Sequence, residues 1–95
     1  MNLVENKKYS IYGVVEDIND SLAETFSVVF RLNEKEKIIL RFQNEYKEII
    51  SIGNILHVDG IAKQYKSKIH LYVNNFKDLD YMDIEAKEKE RIRYK

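Results

Sequence analysis

The chain has 95 residues, and its sixteen Lys and Arg balance sixteen Asp and Glu, so it carries no formal net charge at neutral pH. The length fits one domain, and the absence of cysteine excludes disulfides, a thiol nucleophile and a Cys-ligated zinc site. No segment approaches the roughly 20 apolar residues that span a bilayer, so we expect an intracellular protein that neither crosses a membrane nor is exported. Because the chain lacks an overall basic excess, any site for a polyanion must be local.

The first half of the sequence predicts a long strand followed by a β-hairpin. Residues 9–18, YSIYGVVEDI, are rich in β-branched and aromatic residues, and Gly13 indicates a bulge at which the strand can turn a corner. Residues 25–32 and 37–42 alternate apolar and polar positions around the connector NEKE. The alternation points these side chains into a core: Phe26, Val28, Phe30, Leu32, Ile38, Leu40 and Phe42.

Residues 44–53, NEYKEIISIG, change from a period of two to a spacing of three and four residues. Asn44 can cap a helix, Glu45 and Glu48 suit its first turns, and Gly53 suits its end. We therefore predict a short helix of about two turns between the third and fourth strands.

Residues 53–76, GNILHVDGIAKQYKSKIHLYVNNF, contain two further alternating segments joined by a basic turn. The predicted inward set is Leu56, Val58, Gly60, Ala62, Ile69, Leu71 and Val73. Gly60 in mid-strand marks a bend or a close approach of backbones. Five strands that bend around one core favour a small closed barrel.

Residues 81–95, YMDIEAKEKERIRYK, have a helix-forming composition, with acidic residues early and basic residues late. We expect residues 1–80 to form the barrel and residues 81–95 to form a charged C-terminal helix or tail. The apolar stripe of that helix is thin, so it either rests on the barrel or on a partner, or is simply solvated.

This pattern resembles the OB-fold nucleic-acid-binding domains, the five-stranded Greek-key barrel of single-strand binders and anticodon-binding domains. The resemblance covers residues 8–79. It is carried by the segment 12–15, Tyr-Gly-Val-Val, by the hairpin 25–42 and above all by 53–76, with its mid-strand glycine, Tyr-Lys turn and apolar Phe76. It implies an all-β barrel that binds its ligand across the outer face of the second and third strands, flanked by the loops between strands one and two and strands four and five. It implies no catalysis.

The outward positions supply the two kinds of side chain that hold single strands, namely cations for phosphates and flat groups on which bases stack. Alternation places two arginines with aliphatic neighbours on the outer face of the hairpin, and the last two strands add tyrosines and lysines. The candidate nucleic-acid-binding residues are Tyr12, Arg31, Ile39, Arg41, Lys63, Tyr65, Lys66, Lys68 and Tyr72.

Each candidate also has a purely structural interpretation. The arginines can be residues that keep an antiparallel face hydrated, and the segment 65–68 can be an ordinary polar turn. Tyr12 can plug the barrel mouth, and Tyr72 can pack under the C-terminal tail. The acidic loop after the first strand would repel phosphates if it overhung the face.

The sequence contains no motif for metal binding or for catalysis. His57 and His70 each stand alone, without Cys or clustered carboxylates at ligand spacing, so we predict no metal site. No nucleophile elbow, phosphate loop or zinc-protease motif is present, so we predict no cofactor, no small-molecule substrate and no enzymatic activity.

We predict a small protein that binds single-stranded DNA or RNA. The alternative is a protein-interaction OB subunit of a replication or telomere-type complex, comparable to the small subunits of replication protein A, that assembles or self-associates through residues 81–95. The neutral charge and the tail favour that alternative. A third hypothesis is a phage- or plasmid-encoded inhibitor that uses the barrel as a rigid decoy.

Overall fold

Five β-strands make up most of the described part of the chain, which is residues 1–19 and 24–79 of a computed structural model. The strands are β1 (Lys8–Asn19), β2 (Thr25–Arg31), β3 (Lys37–Gln43), β4 (Ile55–Tyr65) and β5 (Lys68–Asp78). The predicted C-terminal helix over residues 81–95 lies outside the described residues, as does Asp20 of the acidic loop. Within residues 1–19 and 24–79, no helix is long and apolar enough to cross a membrane.

The strands close into a barrel in the order β1-β2-β3-β5-β4. Every neighbouring pair is antiparallel except β3 and β5, which run parallel and pair Leu40 with Leu71 and Arg41 with Tyr72. This confirms the predicted five-stranded Greek-key barrel. The closure brings the last hairpin beside the second and third strands, which are far from it in sequence.

The long first strand turns the predicted corner. It pairs with β4 in its first half and with β2 in its second half, and Val14 has partners on both sides. The bulge was predicted at Gly13, but the extra residue is Glu16, where the register shifts. Gly13 has another role: a Cβ at this position would lie 2.6 Å from Cε2 of Phe30, so glycine makes room for that ring.

The core confirms the alternation read from the sequence. Of the seven hairpin residues predicted to point inward, six are buried, and Leu32 packs against the core from its edge. The last two strands contribute Leu56, Val58, Ala62 and Leu71, whereas Ile69, which was also predicted to point inward, is 37% exposed close to the β4–β5 turn. At one end of the barrel, Phe76 meets the rings of Phe42 and Tyr46 edge-on, at centroid distances of 5.3 and 5.1 Å.

The helix between β3 and β4 is shorter than predicted. Only Asn44–Tyr46 form a helix, of the 3₁₀ type, and Asn44 lies within it rather than capping it. The segment has to bury Ile50 and then return to β4, and the Gly53 amide donates a 2.8 Å hydrogen bond to the carbonyl of Val15. Packing against the barrel therefore overrides the local helix signal.

Gly60 lies where two backbones approach closely, as the sequence indicated. A Cβ on Gly60 would lie 2.4 Å from the carbonyl oxygen of Tyr72 in β5. We expect Gly60→Ala to lower the free energy of unfolding by about 1–3 kcal/mol, as overpacking does, measured by urea denaturation. Gly53→Ala is the comparison, because a Cβ there meets nothing within 4 Å and its strain comes only from a φ of +94°. A Gly60→Ala variant as stable as the wild type would contradict this packing.

Candidate nucleic-acid interface

The outer face of the barrel carries a cluster of three side chains, Arg41, Tyr65 and His70, which we call the Arg41 stack and in which Tyr65 contacts the other two. Arg41 is only 4% exposed. The Tyr65 ring lies over the guanidinium, 3.8 Å from Cζ to the ring centroid, and stacks on His70 at a centroid distance of 5.2 Å and an angle of 26°. The last hairpin thus folds back over the outer face of β3.

Hydrogen bonds to Thr25 hold the guanidinium of Arg41 in place. Nε of Arg41 donates to Oγ1 of Thr25 at 2.7 Å, and Nη2 donates to the Thr25 carbonyl at 2.9 Å. These bonds fix two nitrogen atoms of the guanidinium, and the Tyr65 ring covers one of its faces. The guanidinium is therefore not presented to solvent as a phosphate ligand. Arg41 instead orients the tyrosine ring, as planar guanidinium groups do in stacks.

Two adjoining cavities flank the stack and together form what we call the groove. One, of about 320 Å³, lies under the hairpin tip, and its lining residues are Ser27, Ile39, Tyr65, Lys66, Ser67, Lys68 and His70. The other, of about 270 Å³, lies beside the N-terminal segment and is lined by Met1, Asn2, Leu3, Lys37, Ile38, Ile39, Lys68, Ile69 and His70. The two share Ile39, Lys68 and His70.

The groove is locally basic although the whole chain is neutral. Lys37, Lys66 and Lys68 line it, and no carboxylate is among the lining residues in the described part of the chain, although Nζ of Lys37 lies 3.0 Å from the carboxylate of Glu16. Apolar side chains and the rings of Tyr65 and His70 line the same cavities. The groove therefore combines cations with flat and aliphatic surface, which is what holding the backbone and bases of a single strand requires.

His70 is the buried titratable group of the groove. It is 8% exposed. Burial lowers the pKa of its imidazole below the ordinary value, and the positive charges of Arg41 and Lys68 lower that pKa further. The ring is therefore neutral at neutral pH.

The structure brings together only part of the predicted site. Ile39, Tyr65, Lys66 and Lys68 line the groove, and Arg41 lies beneath Tyr65. Lys63 is exposed on β4 opposite His70, and Tyr72 is half-buried on β5 next to Arg41.

Arg31 and Tyr12 lie elsewhere. Arg31 pairs with Val14 and with Lys37, not with Arg41, which faces Ser27. The two arginines therefore share the outer face, as alternation predicts, but the hairpin register separates them, and Arg31 does not line the groove. Tyr12 is 56% exposed on β1 and stacks on His57 of β4, with ring centroids 4.3 Å apart.

A serine, a histidine and an aspartate meet beside Tyr12, but without the geometry of a catalytic triad. Ser10 Oγ lies 2.7 Å and Asp59 Oδ1 lies 3.7 Å from the same atom, Nε2 of His57. A triad needs the carboxylate and the hydroxyl on opposite ring nitrogens. In residues 1–19 and 24–79, no group of three or more potential ligand side chains is placed to hold a metal ion.

Sequence reasoning missed the importance of His70, Ser27 and Thr25. His70 occupies the outward register between Lys68 and Tyr72, so its place on the outer face followed from alternation. The burial of His70 could not be predicted from alternation, because it depends on Tyr65 of the neighbouring strand. The contact of Thr25 with Arg41 likewise depends on the exact pairing of β2 with β3.

A closed five-stranded barrel with this strand order, and with a groove between its second and third strands and its last hairpin, is an OB fold. The resemblance drawn from the sequence is thereby confirmed for the fold. No protein-family model matches the sequence, and no curated protein matches it significantly.

Solved structures similar to this barrel include a chain of the S. pombe Stn1-Ten1 complex, at 20% identity and a TM-score of 0.68, with 92% of this chain and 69% of that chain covered. A chain of a replication protein A heterotrimer bound to single-stranded DNA has 17% identity and a TM-score of 0.64, with 92% and 70% covered. The mitochondrial single-stranded DNA-binding protein Rim1 of S. cerevisiae has 15% identity and a TM-score of 0.55, with 81% and 98% covered. At these identities the similarity establishes the fold.

Proposed function

We propose that this protein binds single-stranded nucleic acid in the groove. The observation that carries the proposal is the Arg41 stack, which holds the Tyr65 ring beside a cavity of about 320 Å³ lined by lysines and by no carboxylate among the described residues. Bases stack on Tyr65 and pack on Ile39, and lysines contact phosphates. The proposal includes no catalytic role. It includes an intracellular location, because the single strands to be bound occur inside cells.

Similar structures support the proposal. The replication protein A heterotrimer is described as bound to single-stranded DNA, and Rim1 is described as a single-stranded DNA-binding protein. The same barrel architecture therefore occurs in proteins with this activity, and the present chain has its own aromatic and basic side chains at the corresponding face of the barrel.

The candidate residues divide into three roles in this proposal. Tyr65 and Ile39 contact bases, with Tyr72 at the edge of that surface. Lys66, Lys68 and Lys63 contact the phosphate backbone, and Arg41 positions Tyr65. Arg31 and Tyr12 do not line the groove, so their contribution is peripheral.

Salt-dependent binding tests the proposal directly. We expect saturable binding of a labelled oligonucleotide of about 20 nucleotides, longer than the roughly 4–16 that one OB fold covers, by fluorescence anisotropy. The affinity should fall between roughly 50 and 200 mM salt, because phosphate contacts release counterions. The double variant Lys66→Asn, Lys68→Gln should flatten the salt slope by about 0.7 per lost contact. Asparagine suits position 66, because Lys66 has a φ of 55° in the turn.

The matched control removes the same charge elsewhere. Lys8 and Lys77 are exposed and lie opposite Ile61 and His57, away from the groove. Lys8→Gln with Lys77→Gln should leave the salt slope close to that of the wild type. Equal losses in the two double variants, or no saturable binding at low salt, would refute the groove as the binding site.

A protein-interaction subunit is the second candidate, and one surface feature favours it. Ile49 and Ile52 are 59% and 64% exposed near the turn before β4. The last described residue lies beside the start of β4, where the Leu79 amide donates a 2.8 Å hydrogen bond to the Ile55 carbonyl. The Stn1-Ten1 and replication protein A structures are both of complexes.

Deleting residues 81–95 separates the two candidates. If the full chain self-associates in light scattering and the deletion abolishes this while oligonucleotide binding persists, the protein has both roles. If neither form binds an oligonucleotide at any salt concentration and a partner binds only the full chain, the protein-interaction function replaces the first proposal.

A further inference from the structure

His70 lines both cavities of the groove, and several cationic side chains surround it. Arg41 of β3 and Lys68 of β5 are the charges that act on it, Lys63 faces it across the β4–β5 pair, and Tyr65 covers its ring. Both cavities touch His70, and Lys66 and Lys37 line one cavity each. Two carboxylates contact cations of the second cavity: Glu36 lies 2.8 Å from the Met1 amine, and Glu16 lies 3.0 Å from Nζ of Lys37.

The Nδ1 atom of His70 is buried and has no hydrogen-bond partner. A neutral ring tolerates this when Nδ1 carries the lone pair. A protonated ring carries a proton on both nitrogens, so Nδ1 would become a buried donor without an acceptor, which is costly. In the free protein, protonation of His70 is therefore disfavoured by the missing hydrogen-bond acceptor as well as by burial and charge repulsion.

A phosphate in either cavity changes this balance. An anion within about 4–6 Å of an imidazole favours the charged form through its charge. The same anion offsets the repulsion from the surrounding lysines and Arg41. Ligand and proton therefore favour each other at this position, and such coupling is reciprocal.

We propose that His70 takes up a proton from solvent when a nucleic-acid phosphate enters the groove, so that affinity for a single strand rises as the pH falls. This rests on the binding function proposed above. The sequence alone identifies His70 only as an outward-facing strand residue. His57, the second histidine of the chain, stacks on Tyr12 of the β1–β4 face and takes no part.

The test is anisotropy with a labelled oligothymidylate at constant ionic strength, between about pH 5.5 and pH 7.0, a window that includes the ordinary histidine pKa of about 6.5. For the wild type we expect the affinity to rise as the pH falls, by at most about tenfold per pH unit for one proton. His70→Gln should bind with a pH-independent affinity, and His57→Gln should keep the wild-type slope.

A pH-independent wild type, or a His70→Gln variant that keeps the slope, would overturn the coupling and leave the binding function standing. Absence of saturable binding at every pH would instead remove the binding function, and the coupling with it. NMR titration of the two imidazole rings of the wild type, with and without oligothymidylate, needs no variant to fold. The coupling requires the His70 pKa to rise on binding, and an unchanged value overturns it.

Discussion

Tyr65→Ala is expected to weaken oligonucleotide binding by about 1–3 kcal/mol, roughly 5- to 150-fold, because it removes the ring on which a base stacks. The ring also covers Arg41 and His70. Its loss therefore exposes a guanidinium that was fixed beneath it and removes one wall of the larger cavity. Fluorescence anisotropy at low salt measures the effect.

Two control variants make this result specific. Tyr65→Phe keeps the ring and should bind within about twofold of the wild type, since stacking needs only the aromatic face. Tyr12→Ala removes an exposed ring on the β1–β4 face and should change the affinity little. A larger loss for Tyr12→Ala than for Tyr65→Ala would move the binding site to that other face.

Arg41→Met is expected to lower the free energy of unfolding by about 2–4 kcal/mol. Hydrogen bonds to a charged group contribute about 1.5–3 kcal/mol, and a desolvated cation–π contact contributes about 2 kcal/mol. Methionine keeps the aliphatic stem but leaves the Thr25 carbonyl and the Tyr65 face without the guanidinium. Urea denaturation measures this change, and oligonucleotide affinity should fall as well, because Tyr65 loses its support.

Further substitutions at the contact between Arg41 and Thr25 distinguish two roles for Arg41: positioning Tyr65 or binding phosphate directly. Thr25→Val removes the hydroxyl that accepts the hydrogen bond from Nε of Arg41 and should cost about 1 kcal/mol of stability. Arg41→Lys keeps the charge without the planar group and should restore little of the stability lost in Arg41→Met. Unchanged stability in Arg41→Met, together with a reduced salt slope, would show that Arg41 contacts phosphate and does not position Tyr65.

Alternation along the strands predicted the fold and most of the core. Each apolar residue of the hairpin points to a face that its own sequence position determines, so Phe26, Phe30 and Phe42 were assigned correctly. The bulge was predicted at the wrong residue, because Gly13 was interpreted as a position at which the backbone bends. Its neighbour Phe30 comes from another strand, and no local pattern reveals that contact.

The candidate site was harder to predict than the fold for the same reason. A period of two places Arg41 on the outer face, but it does not say that Tyr65 will cover it, since that contact depends on the parallel pairing of β3 with β5. Arg31 shares the outer face yet lies against Lys37. Sequence thus identified the types of side chain on the surface, and the closure of the barrel decided which of them meet.

The most direct test of the proposed interface is an NMR titration of the isotope-labelled protein with an unlabelled single-stranded oligonucleotide. Binding in the groove predicts saturable shift changes concentrated at Ile39, Lys68 and His70 and at the hairpin tip around Tyr65. Shift changes confined to the β1–β4 face around Tyr12 and His57, or no saturable changes at low salt, would contradict it.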